Sequence, residues 1–485
     1  MRLNILLALF LMLFAVPLPP VYPQVTPALD IQWDSISRVS QTTATLQVVA
    51  NPQLQRGATL HDPAFRALQD LGADYVRYVA WLPYPQLAVA ELEQGEWRTS
   101  LIDPMTTDFL DATKGHPVIL NFSTIPEWLF KTPNAVSFPS DADTATWSYT
   151  QGKELVDGGM QELANYYAHL VSWYTDGGFT DGKGRRHVSD FHYKIPYWEV
   201  FNEPDSEHGM SPQDYTARYD AVVAAIHAVS PETKFVGLAL ADPGGNLDMF
   251  NYFLDHDHHR AGIPLDMISY HFYAMPGQAE TPEDWQHTFF SQADVFLASV
   301  ASIEQIRKKL SPETRTDLDE IGSILPGAPA GMKMIPTIYW NASGALYAYV
   351  YALAMRMGID VVGESQLVGY PTQFPSVSML DWKTGSPNAR YWVLKLLHDH
   401  LAPGDKLVET RGATSDFLAQ AFVTPEGRAL LLVNKRDAKI EVRLKDEWED
   451  AAVSVVDSDE PAHTTTLNGP AIELGNFAVA VVYGR

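Results

Sequence analysis

Two rhythms of apolar residues alternate along most of this chain. Period-two runs, in which every second residue is apolar, predict strands, and stripes repeating every three to four residues predict helices. Residues 29–50 alternate, with Thr43, Thr45, Gln47 and Val49 opposite Ala44, Leu46 and Val48. This stretch divides between a first barrel strand and an outlying sheet. A helix is expected over Pro63–Leu71, stopped by Gly72, followed by a compact strand at Tyr75–Val79, a helix over Pro104–Thr113 and a strand over Pro117–Phe122. Leu163, Tyr166, Tyr167, Leu170 and Trp173 form a helical stripe within Val156–Tyr174, and residues 175–194 read as a polar loop rich in glycine. A strand over Ile195–Phe201 comes next, and Ser211-Pro212 opens a helix, since a serine cap and a proline in the first turn both favour helix initiation.

The same alternation continues through strands at Lys234–Leu240, Met267–Phe272, around Leu318, and Ile359–Gly363. Helices are expected at Asp248–Asp255, Pro282–Leu310, Ala342–Gly358 and Pro387–Leu401. Strands separated by helices imply parallel sheet, and about eight such units predict an α/β fold, a (β/α)8 barrel over 43–403. A doubly wound open sheet is the alternative, disfavoured because no strand runs into a glycine-rich dinucleotide loop. Past Gly404 the helical period vanishes. Short runs at Phe417–Val423, Ala429–Val433, Ile440–Leu444, Val453–Val456 and Phe477–Tyr483 predict a small antiparallel β-sandwich over 404–485. Strands within 25–42 are candidates to complete it.

Composition narrows the function. The 485 residues are 46% hydrophobic, enough for a large core and a second domain. A formal charge of −25 speaks against a partner nucleic acid or an anionic membrane surface. With no cysteine, thiolate metal sites and cysteine nucleophiles are excluded. Met1-Arg2 followed by apolar Leu3–Val16 and a proline-rich stretch to Gln24 reads as a signal peptide over 1–24, so a secreted or periplasmic mature chain without membrane insertion is expected. Asp255-His256-Asp257-His258-His259 looks like a metal cluster, but adjacent residues at a helix end point in different directions. We expect no metal there and no cofactor.

The candidate chemistry lies at strand ends. Tyr197-Trp198-Glu199-Val200-Phe201-Asn202-Glu203-Pro204 is an apolar strand ending in a carboxylate, and Thr316-Asp317-Leu318-Asp319-Glu320-Ile321-Gly322 is another. Two carboxylates carried on distant strand ends are what glycosidic bond cleavage in a barrel requires. Ile359–Glu364 also ends in a carboxylate, and periodicity alone ranks Glu364 level with Glu320. Arg77 inside an apolar strand needs an acidic partner to be buried, and His271 and Tyr273 share one face of their strand. Aromatic rings suit sugar faces. Trp81, Trp128, Trp340 and Trp382 lie near predicted strand ends, and Trp128 and Trp340 are the preferred platforms.

Phe201-Asn202-Glu203-Pro204 resembles the acid/base motif of the clan A retaining glycoside hydrolases. Three further segments are most similar to family 39, the β-xylosidase and α-iduronidase family, with families 30 and 51 as relatives. They are Leu71–Tyr78, Phe122–Leu129 and Ser269–Tyr273. The resemblance implies that Glu203 is the acid/base, with a raised pKa, and that Glu320 is the nucleophile in preference to Glu364. It further implies that Asn202 holds the hydroxyl beside the anomeric carbon and that Arg77 and Tyr273 support the nucleophile. Glu364 is then left to bind a sugar hydroxyl or orient Gln366. The chain departs from the family where Ile321-Gly322 follows Glu320, a place where many members carry tryptophan or phenylalanine. The resulting expectation is an exo-acting retaining β-glycosidase whose partner is an oligosaccharide or polysaccharide. A non-catalytic carbohydrate-binding protein on the same scaffold, or an envelope adhesion protein using its β-domain, are the rival readings.

Overall fold

A computed structural model describes residues 29–132, 138–146, 152–326, 335–369, 374–444 and 448–484. The expected signal peptide lies outside these residues. Eight parallel strands close into a barrel: β1 (Thr43–Val49), β2 (Val76–Ala80), β3 (Val118–Phe122), β4 (Tyr197–Glu199), β5 (Lys234–Leu240), β6 (Met267–Ala274), β7 (Arg315–Ser323) and β8 (Val361–Glu364). Each is followed by a helix on the outside: α1 (His61–Leu71), α2 (Ile102–Ala112), α3 (Gln161–Thr175), α4 (Pro212–Val229), α5 (Leu247–Phe253), α6 (Pro282–Leu310), α7 (Thr337–Met357) and α8 (Ala389–His400). All residues of β2, β3, β4 and β8 are buried, as strands covered on both faces must be.

Local chemistry sets the helix ends. The Ser211 hydroxyl accepts from the Asp214 amide at the start of α4, and the Thr281 amide donates to the Asp284 carboxylate at the start of α6. Gly72 and Gly358 end α1 and α7 with φ of 63° and 83°, a conformation that costs glycine little. Helix α3 begins at Gln161, later than the expected start at Val156. The Asp157 carboxylate accepts from the amides of Gly159, Gln161 and Glu162, folding the preceding residues into a turn. Residues 175–194 are not a plain loop, since Gly178–Thr180 and Arg186–Val188 pair as a short hairpin.

The strand Asp30–Val39 leaves the barrel and pairs with Lys406–Arg411 at the edge of a seven-stranded antiparallel sheet. A two-stranded sheet, Ile440–Arg443 with Ala471–Leu474, shares a core with the larger sheet around Trp448, Leu430, Val453 and Leu474. This β-domain packs on the barrel's outer helices: Arg356 of α7 donates to Gln420, and Asn341 donates to the Asp457 carbonyl.

Two irregularities in the barrel shape its C-terminal mouth. Between Leu318 and Glu320, β7 carries one residue more than either neighbour. Asp317 and Glu320 pair with Ser269 and His271 on one side, while Leu318 and Ile321 pair with Val362 and Glu364 on the other. Strict alternation would send Asp319 and Glu320 to opposite faces, and the bulge turns Glu320 back toward the barrel axis. At the other irregularity, Leu238 and Ala239 of β5 have φ of 82° and 46° where the register to β6 slips.

The bulge on β7 needs room from β8. A Cβ added at Gly363 would lie 2.9 Å from the Asp319 carbonyl oxygen, a backbone atom that cannot swing aside. Gly363→Ala is therefore expected to lower stability by about 1–3 kcal/mol, read as a fall in the urea midpoint. Gly182→Ala, with open space around it, is expected to stay within about 0.5 kcal/mol.

Candidate active site

One arginine organises the C-terminal mouth of the barrel. Arg77 rises from β2 and is buried to 1% exposure. Its Nε lies 2.5 Å from Glu199 Oε2 and 3.0 Å from Asp319 Oδ2. Its Nη1 donates to Gln47 Oε1 at 2.7 Å and Glu320 Oε1 at 2.5 Å, and its Nη2 donates to Asn202 Oδ1 at 2.8 Å. Burial opposes the charge on Arg77, but Glu199, Asp319 and Glu320 together outweigh it and hold the guanidinium firmly protonated.

Strand β4 is shorter than its apolar run because the backbone turns sharply after it. Phe201 and Glu203 sit at φ of 66° and 40°, the left-handed region that side chains avoid. The Glu203 amide donates to the Ala239 carbonyl at 2.9 Å, and the Glu207 amide donates back to Glu203's carbonyl at 2.8 Å. This strained turn lifts the Glu203 side chain into the mouth. From β6, His271 places Nδ1 2.9 Å from Glu203 Oε1, and Nε2 3.5 Å from Asp319 Oδ1 and 3.6 Å from Glu320 Oε1. Two residues on, the Tyr273 hydroxyl donates to Glu320 Oε2 at 2.6 Å, and Ser365 Oγ, which accepts from Gln47, lies 2.6 Å from the same phenol oxygen. A carboxylate oxygen of Glu203 and one of Glu320 lie within 4.8 Å of each other.

Protonation in this cluster follows from its few cations. Burial disfavours the imidazolium of His271, yet Glu320 and Asp319 beside it raise its pKa well above the ordinary 6.5. Burial would raise Glu203, but the hydrogen bond and charge of His271 pull its pKa below the ordinary carboxylate value instead. This corrects the expectation of a raised pKa for Glu203: in the free protein the proton of the pair rests on the imidazole. Burial pushes Glu199 up to about 7 despite Arg77, and burial together with Glu203 raises Glu207 well above the usual range.

Glu203, Glu320, Asn202 and Tyr273 line one cavity of about 140 Å³ together with Trp81, Phe374 and Gln366. The Asn202 Nδ2 donates to Glu207 Oε1 at 2.9 Å, which leaves one amide hydrogen for a ligand. Three expected residues lie elsewhere. Glu364 is fully buried against Arg390 Nε at 2.8 Å, so it neither competes with Glu320 nor reaches a sugar. Trp128 donates to the Glu91 carbonyl and lines a separate recess with Trp97 and Phe179. Trp340 packs edge-on against Tyr339 with centroids 5.1 Å apart, on α7. The aromatic wall of the cavity is instead Trp81 and Phe374, their rings 6.3 Å apart and inclined by 20°.

Glu207 and Glu199 are site residues that the pattern of the chain did not single out. Glu207 accepts from Trp81 and Asn202 and so fixes both. Glu199 stands alone in an apolar strand, the same signal that marks Arg77. Among the described residues, Glu203, His271 and Glu320 present their donor atoms closely enough to gather a cation, though these atoms already engage one another, Arg77 and Tyr273. In the His256–His259 segment His256 meets Ser311, His258 meets the Tyr252 carbonyl, and His259 meets Asp220.

Residues 66–322 match the family described as glycosyl hydrolases family 39. Residues 415–482 match the C-terminal immunoglobulin-like domain of D-apionate lactonase. No curated protein matches the chain by sequence. Among solved structures, a GH51 arabinofuranosidase from Xanthomonas axonopodis pv. citri is 11% identical with a TM-score of 0.63, covering 94% of this chain and 99% of its own. A GH30 endoxylanase from Clostridium papyrosolvens is 13% identical with a TM-score of 0.56 over the same shares. A glucosidase from Croceicoccus marinus is 14% identical with a TM-score of 0.56, covering 95% and 99%. At such identities the likeness is one of fold, and it spans both the barrel and the β-domain.

The charge arrangement predicts that His271 stays protonated above pH 6.5, measurable from its imidazole nitrogen shifts. Because its folded pKa is raised, its contribution to stability is present below about pH 6.5 and is lost as pH rises through the folded value. Glu203→Gln removes the carboxylate on Nδ1 and is expected to lower the midpoint of the imidazole titration. An unchanged midpoint contradicts the assigned pairing.

Proposed function

Because this chain belongs to glycosyl hydrolases family 39, we propose that it is a retaining glycosidase that removes a terminal β-linked sugar by double displacement. The observation that carries this reading is the closeness of Glu203 and Glu320, with carboxylate oxygens within 4.8 Å. Retaining enzymes hold the two groups about 5–5.5 Å apart, and inverting enzymes need a wider gap to admit water. The β configuration follows the β-xylosidase branch of family 39, a family that also holds α-iduronidases and that the Ser269–Tyr273 segment resembles. The cavity's small volume and its Trp81–Phe374 wall support exo action.

In this reading Glu320 attacks the anomeric carbon. Arg77 and Tyr273 each give one hydrogen bond to its carboxylate, one to each oxygen. These bonds fix the orientation of the carboxylate. Glu203 donates the proton to the leaving oxygen. His271 holds that proton beforehand and can pass it to Oε1 across 2.9 Å as the bond breaks. Once Glu320 is esterified its charge is gone, and Glu203 serves as base for the incoming water. The free Nδ2 hydrogen of Asn202 is placed for the hydroxyl beside the anomeric carbon. Export is part of the proposal, on the strength of the apolar Leu3–Val16 stretch.

Aryl β-glycosides of graded leaving-group acidity test this assignment. Glu320→Ala is expected to leave almost no turnover with any leaving group. Glu203→Ala is expected to lose about 10²–10⁴-fold with poor leaving groups and little with good ones, and added azide is expected to yield a β-glycosyl azide. A Glu203→Ala enzyme slowed equally on every leaving group contradicts the acid role.

A further inference from the structure

Next to this cavity, on the other side of Glu203 and Tyr273, lies a second recess of about 570 Å³, formed by the ends of β5 and β6 and by α6. Glu203 and Tyr273 line both spaces, but Glu320 and Asn202 line only the first. A proton donor acts on the oxygen of the departing group. The space that sees the acid without the nucleophile is therefore where that group sits.

The walls of this recess are apolar. Phe272 and Phe296 stack with centroids 4.6 Å apart and planes inclined by 12°. Met275 and Val295 stand beside them at 58% and 70% exposure, two of the few large apolar side chains left open to water among the described residues. Ile324 lines both this recess and the inner cavity. The polar side chains of the wall are partly engaged by their own neighbourhood, leaving one Gln292 amide hydrogen and Asp242 Oδ2 at the rim. The amide of Gln292 donates to the Met275 carbonyl at 3.0 Å and accepts from the Met275 amide at 2.8 Å. The hydroxyls of Ser291 and Ser299 bond back to carbonyls of their own helix. Asp242, on the exposed rim, is engaged by the Gly245 amide. A second sugar arriving here would find few open polar partners for its several hydroxyls, whereas an alkyl or aryl group would cover Met275 and Val295 beside the Phe272–Phe296 pair.

Resting on the glycosidase reading above, we infer that this recess binds an apolar aglycone, so that the substrates are glycosides of hydrophobic alcohols or phenols rather than oligosaccharides. The acid then returns the proton to the aglycone oxygen as the glycosidic bond breaks, and the alcohol leaves into the recess.

Alkyl glycosides separate recognition from leaving-group acidity, because simple primary alcohols differ little in pKa. With the sugar that the aryl glycoside series identifies, kcat/KM is measured for the methyl, butyl and hexyl glycosides and for a disaccharide ending in the same sugar. A gain of up to about fourfold for each methylene removed from water is expected, with the hexyl glycoside preferred over the disaccharide. Val295→Asp puts a charge on the exposed wall and is expected to collapse the hexyl-to-methyl ratio toward one. Since a ratio on one enzyme cancels its folded fraction, partial unfolding cannot mimic that result. A flat ratio in the unaltered enzyme, a preference for the disaccharide, or a ratio that survives Val295→Asp overturns the inference and leaves the glycosidase reading standing. Absence of turnover on every glycoside, aryl ones included, overturns both.

Discussion

A guanidinium sealed inside a barrel is the constraint on which the rest of this site depends. Taking Arg77 out of water costs several kcal/mol after relaxation, and removing its partners would leave that cost uncompensated. The chain answers with acceptors from β1, β4, β7 and the turn after β4: Gln47, Glu199, Asp319, Glu320 and Asn202. Each acceptor that satisfies Arg77 is also placed by it. Glu320 and Asn202 line the cavity because their other atoms are tied to the same cation. The charge balance then spreads outward. Arg77 and His271 hold Asp319 ionised against its burial, while Glu199 and Asp317 keep protons more readily because burial outweighs the cations within their reach.

Backbone irregularity supplies what side-chain choice alone cannot. An extended strand would place only one of Asp319 and Glu320 at the axis, and the bulge on β7 brings both to face Arg77 and His271. The left-handed turns at Phe201 and Glu203 and the slip in β5 do the same on the opposite rim. Such conformations persist only where surrounding contacts over-determine them. Here those contacts include the bond from the Glu203 amide to Ala239, the Tyr215 hydroxyl on the Val200 carbonyl, and the space left by Gly363.

The barrel was legible because its parallel strands are almost wholly apolar and its helices carry clear stripes, and the antiparallel domain because the helical period stops. Glu203 could be found because it ends an apolar strand, Arg77 because it leaves a charge unexplained, and His271 and Tyr273 because they share one strand face, whereas Asn202 came from the resemblance of Phe201–Pro204 to the family motif. Glu364 shows the limit of that logic. It ends a cleaner strand than Glu320 does, yet β8 turns it into a pair with Arg390, a partner from α8 that no periodicity reveals. Tryptophans were hard to place for a similar reason: strand ends say where a ring begins, but Trp128 and Trp340 are drawn off by the Glu91 carbonyl and by Tyr339. The lowered pKa of Glu203 was invisible for want of one contact, the Nδ1 of His271.

The chemistry proposed for this mouth depends on Glu320 being the carboxylate that forms a covalent glycosyl ester. An activated 2-deoxy-2-fluoro β-glycoside slows hydrolysis of that ester, and proteolysis followed by mass spectrometry finds the residue that carries it. The expected result is a single label, of one fluoroglycosyl unit, on the peptide at Glu320. A label on Glu203, Glu207 or another carboxylate, or hydrolysis with inversion and no trapped ester, would contradict it.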